Sequence, residues 1–169
     1  MQKEDTVSQS LLSGKRILAV DDEPDVLEVL KEEIVEACPN CTLETARTYE
    51  EAAKLLETKL YDVVVLDIMG VRGFDLLNIA VRRDMKVAML TAHALTPEDL
   101  ERSYRNKARA YLPKEKLDEL VPLLEDVLSY DFNAGWKNLM RKMYTYFTGE
   151  FKSGWETKTN LPWNEWGKL

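Results

Sequence analysis

The chain has 169 residues, with 30 acidic and 23 basic side chains, one histidine and two cysteines. That length holds one domain with some chain to spare. An apolar fraction of 45% beside 31% charged residues excludes a disordered or collagen-like chain, and a formal charge of −7 argues against direct DNA binding, which needs a basic surface. The apolar run Val63-Val64-Val65-Leu66 is far short of the ~18 residues of a spanning helix. The opening Met-Gln-Lys-Glu-Asp lacks the basic-then-apolar pattern of a secretory signal, so a cytoplasmic location is expected. Charge is unevenly distributed: residues 1–130 carry a net −9, residues 131–169 a net +2, and all four tryptophans lie in the second part.

In chain order, Arg16-Ile17-Leu18-Ala19-Val20 predicts a strand, followed by the acidic group Asp21-Asp22-Glu23. Pro24 stands where a helix can begin without loss, because the first helical N–H has no partner anyway. Leu27, Leu30, Ile34 and Ala37 then recur at helical spacing. A second strand is predicted over 42–46. Thr48 with Glu51 forms a capping box that opens a helix carrying Ala52, Leu55, Leu56 and Leu60. The β-branched run over 62–67 is apolar on both faces, the signature of a buried parallel strand. A helix over 74–83, a strand over 87–90, a mostly polar helix opened by Thr96-Pro97-Glu98-Asp99 and a short strand over 110–112 follow. The apolar stripe Leu117, Leu120, Val121, Leu124 and Leu128 predicts a last helix starting just before Pro122. Five strand–helix units predict an α/β fold with a parallel sheet covered on both faces.

In such a sheet, ligands bind outside the carboxyl ends of the strands. The polar residues at those ends are Asp21 and Asp22, then Asp67, Thr91 and Lys114, and the topology brings them to one edge. Three neighbouring carboxylates repel one another, and a hard cation such as Mg2+ relieves the repulsion while leaving room for a phosphate oxygen. A hydroxyl and an ammonium beside them suit the remaining phosphate oxygens.

Val20-Asp21-Asp22, Asp67 after a Val-rich strand, Leu90-Thr91-Ala92 and Leu112-Pro113-Lys114 together resemble the receiver domain of two-component response regulators, the CheY-like superfamily. The resemblance spans about residues 15–130. It implies a flavodoxin-like doubly wound sheet of order 2-1-3-4-5 with five helices. It also implies that Asp67 accepts a phosphoryl group from a sensor histidine kinase or a histidine phosphotransfer protein. Asp21, Asp22, Asp67 and the Met69 backbone carbonyl would hold Mg2+. Thr91 would move towards the acyl phosphate, Lys114 would pair with it, and Tyr111 would be the switch aromatic that turns inward with the threonine. Such a chain catalyses its own phosphotransfer and dephosphorylation rather than acting as a conventional enzyme, and signals to a downstream protein. A second reading keeps the fold as a phosphorylation-independent interaction module working through the C-terminal helix. Two departures from the family pattern stand out. Gly73 follows Asp67 by six residues instead of about eight, with no proline between them, and Glu115 replaces the proline that usually follows the lysine.

The remaining features are the Cys38-Pro39-Asn40-Cys41 pair, His93 and the C-terminal part. The cysteines fall at the end of a helix, where its dipole does not favour a thiolate, so two reduced thiols are expected. His93 is expected to be an ordinary loop residue. Trp136, Leu139, Met140, Met143, Tyr144, Phe147 and Phe151 predict an amphipathic helix from Asn133, ended by Gly149 or Gly154. It would pack on its own receiver or swap onto a second copy as a homodimer, dock a partner protein, or lie on a membrane surface. The tail over 158–169, with Trp163 and Trp166, is expected to be irregular. The organisation is then a polar leader (1–14), a receiver (15–130) and a Trp-rich extension (131–169).

Overall fold

In the computed structural model, which describes residues 9–92, 96–159 and 161, five parallel strands form one sheet of order β2-β1-β3-β4-β5. The strands are β1 (Arg16–Val20), β2 (Thr42–Ala46), β3 (Val63–Asp67), β4 (Lys86–Thr91) and β5 (Ala110–Pro113). The helices between them are α1 (Pro24–Ala37), α2 (Tyr49–Thr58), α3 (Gly73–Arg82) and α4 (Pro97–Arg105), and α5 (Leu120–Ser129) follows β5. The direction of winding reverses after β2, so right-handed crossovers place α1 on one face and α2, α3 and α4 on the other. α5 returns to pack beside α1, and α2 packs beside α3. β3, central and apolar up to its last residue, Asp67, is buried along its whole length.

Local chemistry sets the ends of these elements. The Thr48 hydroxyl accepts the Glu51 amide at 3.2 Å, while the Glu51 carboxylate accepts the Arg47 amide at 3.2 Å, one residue before the cap. Thr96 caps α4 by accepting the Asp99 amide at 3.1 Å, and Pro97 takes the first helical position. Pro122 sits in the first turn of α5, as its missing donor requires. The stripe that predicted this helix begins earlier, however, because Lys114–Glu119 form a separate 3₁₀ segment that holds Leu117. Thr91 is the last residue of β4 rather than the first after it. In the leader, Leu12 is fully buried against the core.

The predicted amphipathic helix is α6 (Phe132–Glu150), capped by the Asp131 carboxylate accepting the Ala134 amide at 2.8 Å. It lies along the edge of its own chain. The Trp136 indole N–H donates to the Ala108 carbonyl at 2.9 Å, and the Tyr104 ring meets Trp136 edge-on at 5.4 Å. Phe147 faces Tyr111 on β5 with ring centroids 5.9 Å apart. A one-turn helix that the periodicity did not predict, α7 (Trp155–Lys158), follows Gly154, whose φ of +80° turns the chain back. It buries Trp155 edge-on against Phe151 at 5.1 Å. Thr159, expected in an irregular tail, is buried, and its carbonyl accepts from Arg105 at 3.5 Å. Trp163 and Trp166 lie outside the described residues. No helix among the described residues is long and apolar enough to cross a membrane.

Candidate functional site

The carboxyl ends of β1, β3 and β5 meet at one point. Asp21 follows β1, Asp67 ends β3, and Lys114 follows β5 with its ammonium 2.7 Å from Asp21 Oδ2, 3.1 Å from Asp67 Oδ1 and 3.4 Å from Glu23 Oε1. Asp22 is exposed beside them, and one carboxylate oxygen from each of Asp21, Asp22 and Asp67 can be chosen so that all three lie within 4.8 Å. Asp21 is 0% exposed and Asp67 3%. Glu23, read in the sequence as part of the acidic group but not as a site residue, joins these acids, and its backbone N–H donates to Asp21 Oδ1 at 2.9 Å.

Burial and like charge set the electrostatics. Burial, then the neighbouring Asp21 carboxylate, push the Asp67 pKa up to about 6 against the pull of Lys114. Burial likewise raises Asp21, although Lys114 and the Glu23 amide oppose it. For Lys114, burial favours the neutral amine, yet the two aspartates outweigh it and hold the ammonium above its ordinary range. The cluster is thus short of positive charge and compact, and its donors are all hard oxygens. Such a donor set suits a hard divalent cation.

The loop from Ile68 to Arg72 is held by close approaches of the backbone. The Ile68 amide donates to Leu90 on the neighbouring strand at 3.0 Å, and the Val71 amide donates to the Met69 carbonyl at 2.9 Å. Gly70 has a φ of +78°, and a Cβ there would stand 2.6 Å from the Asp22 carboxylate. At Gly73 a Cβ would collide with the Asp67 carbonyl oxygen. The six-residue spacing from Asp67 to Gly73 is therefore a closed turn in which α3 starts directly over the acid. Arg72, also left-handed at +54°, stacks its guanidinium on Tyr49 at 4.2 Å and pairs with Asp75 at 2.9 Å. Both glycines were visible in the sequence, but only the fold shows what they make room for. Met69, two residues after Asp67, is 67% exposed.

Thr91 and Tyr111 stand one layer behind. Thr91 is buried at the end of β4, with its hydroxyl donating only a long bond, 3.5 Å, to the Ala92 carbonyl. Strand register pairs Thr91 with Pro113 and Met89 with Tyr111, so Thr91 and Tyr111 share one face of the sheet. Tyr111 is fully buried, and its hydroxyl makes no hydrogen bond of normal length among the described residues. Burial drives its phenol pKa well above the usual range, with the nearby Thr91 hydroxyl easing the shift.

Cys38 and Cys41 are free thiols. Burial, followed by the proximity of Cys38, raises the Cys41 pKa, the opposite of what an activated pair needs. His93 lies outside the described residues.

Residues 17–125 match the profile of the response regulator receiver domain family. A two-component response regulator of Arabidopsis thaliana is 36% identical over 84 residues, which are 48% of this chain but 13% of that protein. The chain thus spans a small part of that relative's length. Among solved structures, a CheY-like response regulator receiver domain protein from Methanospirillum hungatei is 27% identical with a TM-score of 0.57, covering 69% of this chain and 98% of that one. A Francisella response regulator receiver domain is 26% identical with a TM-score of 0.59, covering 68% and 97%. A Thermotoga maritima response regulator, at 21% identity and a TM-score of 0.60, shares the fold over 69% of this chain and 98% of its own. These structures are matched almost end to end, while nearly a third of this chain is left over.

Proposed function

We propose that this chain, which belongs to the response regulator receiver domain family of two-component systems, accepts a phosphoryl group on Asp67. Receiver domains are phosphorylated by histidine kinases or histidine phosphotransfer proteins and generally bind Mg2+ in an acidic pocket. The observation that carries the assignment is the Lys114 ammonium bridging two buried carboxylates, 2.7 Å from Asp21 and 3.1 Å from Asp67.

Asp67 is the acid best placed to react, because it ends the central strand beside Asp21 and Asp22 and in contact with the Lys114 ammonium. In the transfer, an Asp67 carboxylate oxygen forms a bond to phosphorus as the phosphorus–nitrogen bond of a phosphohistidine breaks, and the imidazole leaves with the electron pair. Lys114 already touches Asp67 and pairs with a phosphoryl oxygen after transfer. Thr91, whose hydroxyl holds only a long bond, is free to redirect that donor to a second phosphoryl oxygen. Asp21, Asp22 and Asp67 would hold Mg2+, with the Met69 carbonyl as a further ligand through the lone pair not used by Val71. Bound there, the cation neutralises charge on the transferring group. The product is an acyl phosphate, labile enough to serve as a resettable signal.

Incubation with acetyl phosphate and Mg2+, followed by a phosphate-affinity gel, tests the assignment. Wild type should give a retarded band that hydroxylamine removes, and Asp67→Asn should give none. A folded wild type with no retarded band would overturn the assignment and leave the phosphorylation-independent interaction module in its place.

A further inference from the structure

The extension is not accounted for by receiving a phosphoryl group, and its contacts converge on one residue of the receiver. Tyr111 lies on the edge strand, where a tyrosine ordinarily keeps its ring on apolar neighbours and its hydroxyl in water. Here the whole side chain is buried and the hydroxyl has no hydrogen bond of normal length among the described residues, an arrangement that persists only if something holds it. That something is α6. Phe147 covers the Tyr111 ring at 5.9 Å, Phe151 stacks on Phe147 at 5.4 Å, and Trp155 backs Phe151 at 5.1 Å. A second tie comes from Tyr146, whose hydroxyl donates at 2.8 Å to Glu115, the residue directly after Lys114. The Lys116 ammonium lies over the same Tyr146 ring at 5.1 Å. α6 therefore grips the receiver at the ring behind Thr91 and at the residue beside Lys114.

We propose that α6 is an internal clasp that holds Tyr111 inward and so favours the form of the site in which Asp67 carries a phosphoryl group. The inference rests on Asp67 being the phosphoacceptor. When Thr91 swings its hydroxyl towards a phosphoryl oxygen, it vacates space on the face it shares with Tyr111, and an inward ring fills that space. Without α6, the room now taken by Phe147 opens, and Tyr111 gains water for its hydroxyl by turning out. Thr91 then loses its backing. Docking of α6 and occupation of Asp67 consequently support one another, and each strengthens the other by the same factor. A partner that draws α6 away would weaken the phosphorylated state, and loss of the phosphoryl group would loosen α6.

The tryptophans make the clasp measurable, because all four lie beyond residue 130 and their exposure follows how the extension sits on the receiver. The experiment uses the full chain with Mg2+ and beryllofluoride, a phosphoryl stand-in that binds carboxylates at equilibrium. Calorimetry gives its affinity, and acrylamide quenching gives the exposure of the tryptophans. Beryllofluoride should reduce quenching in wild type, and Phe147→Ala should weaken its affinity by about fivefold or more. Tyr146→Phe, which removes one hydroxyl from a partly exposed ring and leaves the core intact, should act in the same direction by a smaller factor. It decides the matter if Phe147→Ala does not fold. Equal affinities in wild type and variants, with quenching unchanged on binding, would overturn the clasp and leave the phosphoacceptor reading standing. A wild type that binds no beryllofluoride would instead overturn that reading and the coupling with it.

Discussion

At the carboxyl ends of β1, β3 and β5, three aspartates, a glutamate and one lysine are crowded together, two of the acids almost wholly out of water. Along β5 and α4, by contrast, two groups of rings seat the extension on the receiver, Phe132 and Trp136 on Tyr104, and Phe147, Phe151 and Trp155 on Tyr111, with an indole hydrogen bond and a few peripheral polar ties beside them. The first region stands against the fold, because crowding buried like charges raises the free energy of the folded chain until a cation or a neutral form relieves it. The second stands with it, since each large ring removes about 150–250 Å² of apolar surface from water. The proposed switch needs both. The charged end supplies a state that binding can change, and the apolar edge supplies the stability that lets such a site exist.

The largest effect expected from this contrast is at Trp136. Trp136→Ala removes a fully buried ring and leaves the Ala108 carbonyl without its indole donor, and should cost about 3–5 kcal/mol in urea denaturation. Wild type should unfold in one transition followed equally by tryptophan fluorescence and by far-UV circular dichroism. If tryptophan fluorescence in wild type instead changes in a separate, earlier transition, the extension is an appendage and the contrast fails.

The two regions also differed in how much of them could be read before the structure. Asp21, Asp22, Asp67 and Lys114 were legible because a charged residue closing an apolar, β-branched run has one meaning in a parallel sheet: the strand has reached its carboxyl end. Strand order was legible through the family resemblance. Gly70 and Gly73 were visible as letters, but their purpose depends on the Asp22 carboxylate and the Asp67 carbonyl lying against them, which spacing does not reveal. The 3₁₀ segment at Lys114–Glu119 was hidden because Leu117 continues the stripe of α5 in phase. α7 was hidden because one turn has no period to detect. The face of α6 was legible as a stripe, while its occupant was not: an apolar stripe states what it avoids and leaves open what it meets.

A medium effect is expected at the charged end. Asp67→Asn removes one of two facing carboxylates, and Lys114 keeps Asp21 at 2.7 Å. The variant should therefore be more stable than wild type by about 1–3 kcal/mol in EDTA, measured by chemical denaturation. Added Mg2+ should reverse the order. It stabilises wild type by about 4.1 kcal/mol at a thousand times its dissociation constant, more than the variant's lead, and does little for a variant that has lost one of the carboxylates proposed to hold it. A variant less stable than wild type in EDTA would mean that the Asp67–Lys114 pair outweighs the repulsion from Asp21.

The smallest effect comes from strengthening the apolar edge without touching the site. Gly135 lies inside α6, and a Cβ there would meet only Tyr130 Cβ at 3.5 Å, an ordinary contact. Gly135→Ala lowers the entropy lost on forming the helix and should stabilise the chain by about 0.5–1 kcal/mol. If α6 folds and unfolds with the receiver, that gain appears in the single global transition. It should also tighten beryllofluoride binding slightly if undocked forms of α6 are populated in the free protein, because the substitution favours the helix that covers Tyr111. A gain confined to tryptophan fluorescence, with no shift in circular dichroism of the receiver, would instead show that the edge stabilises only itself. The two regions would then share a chain without sharing a free energy.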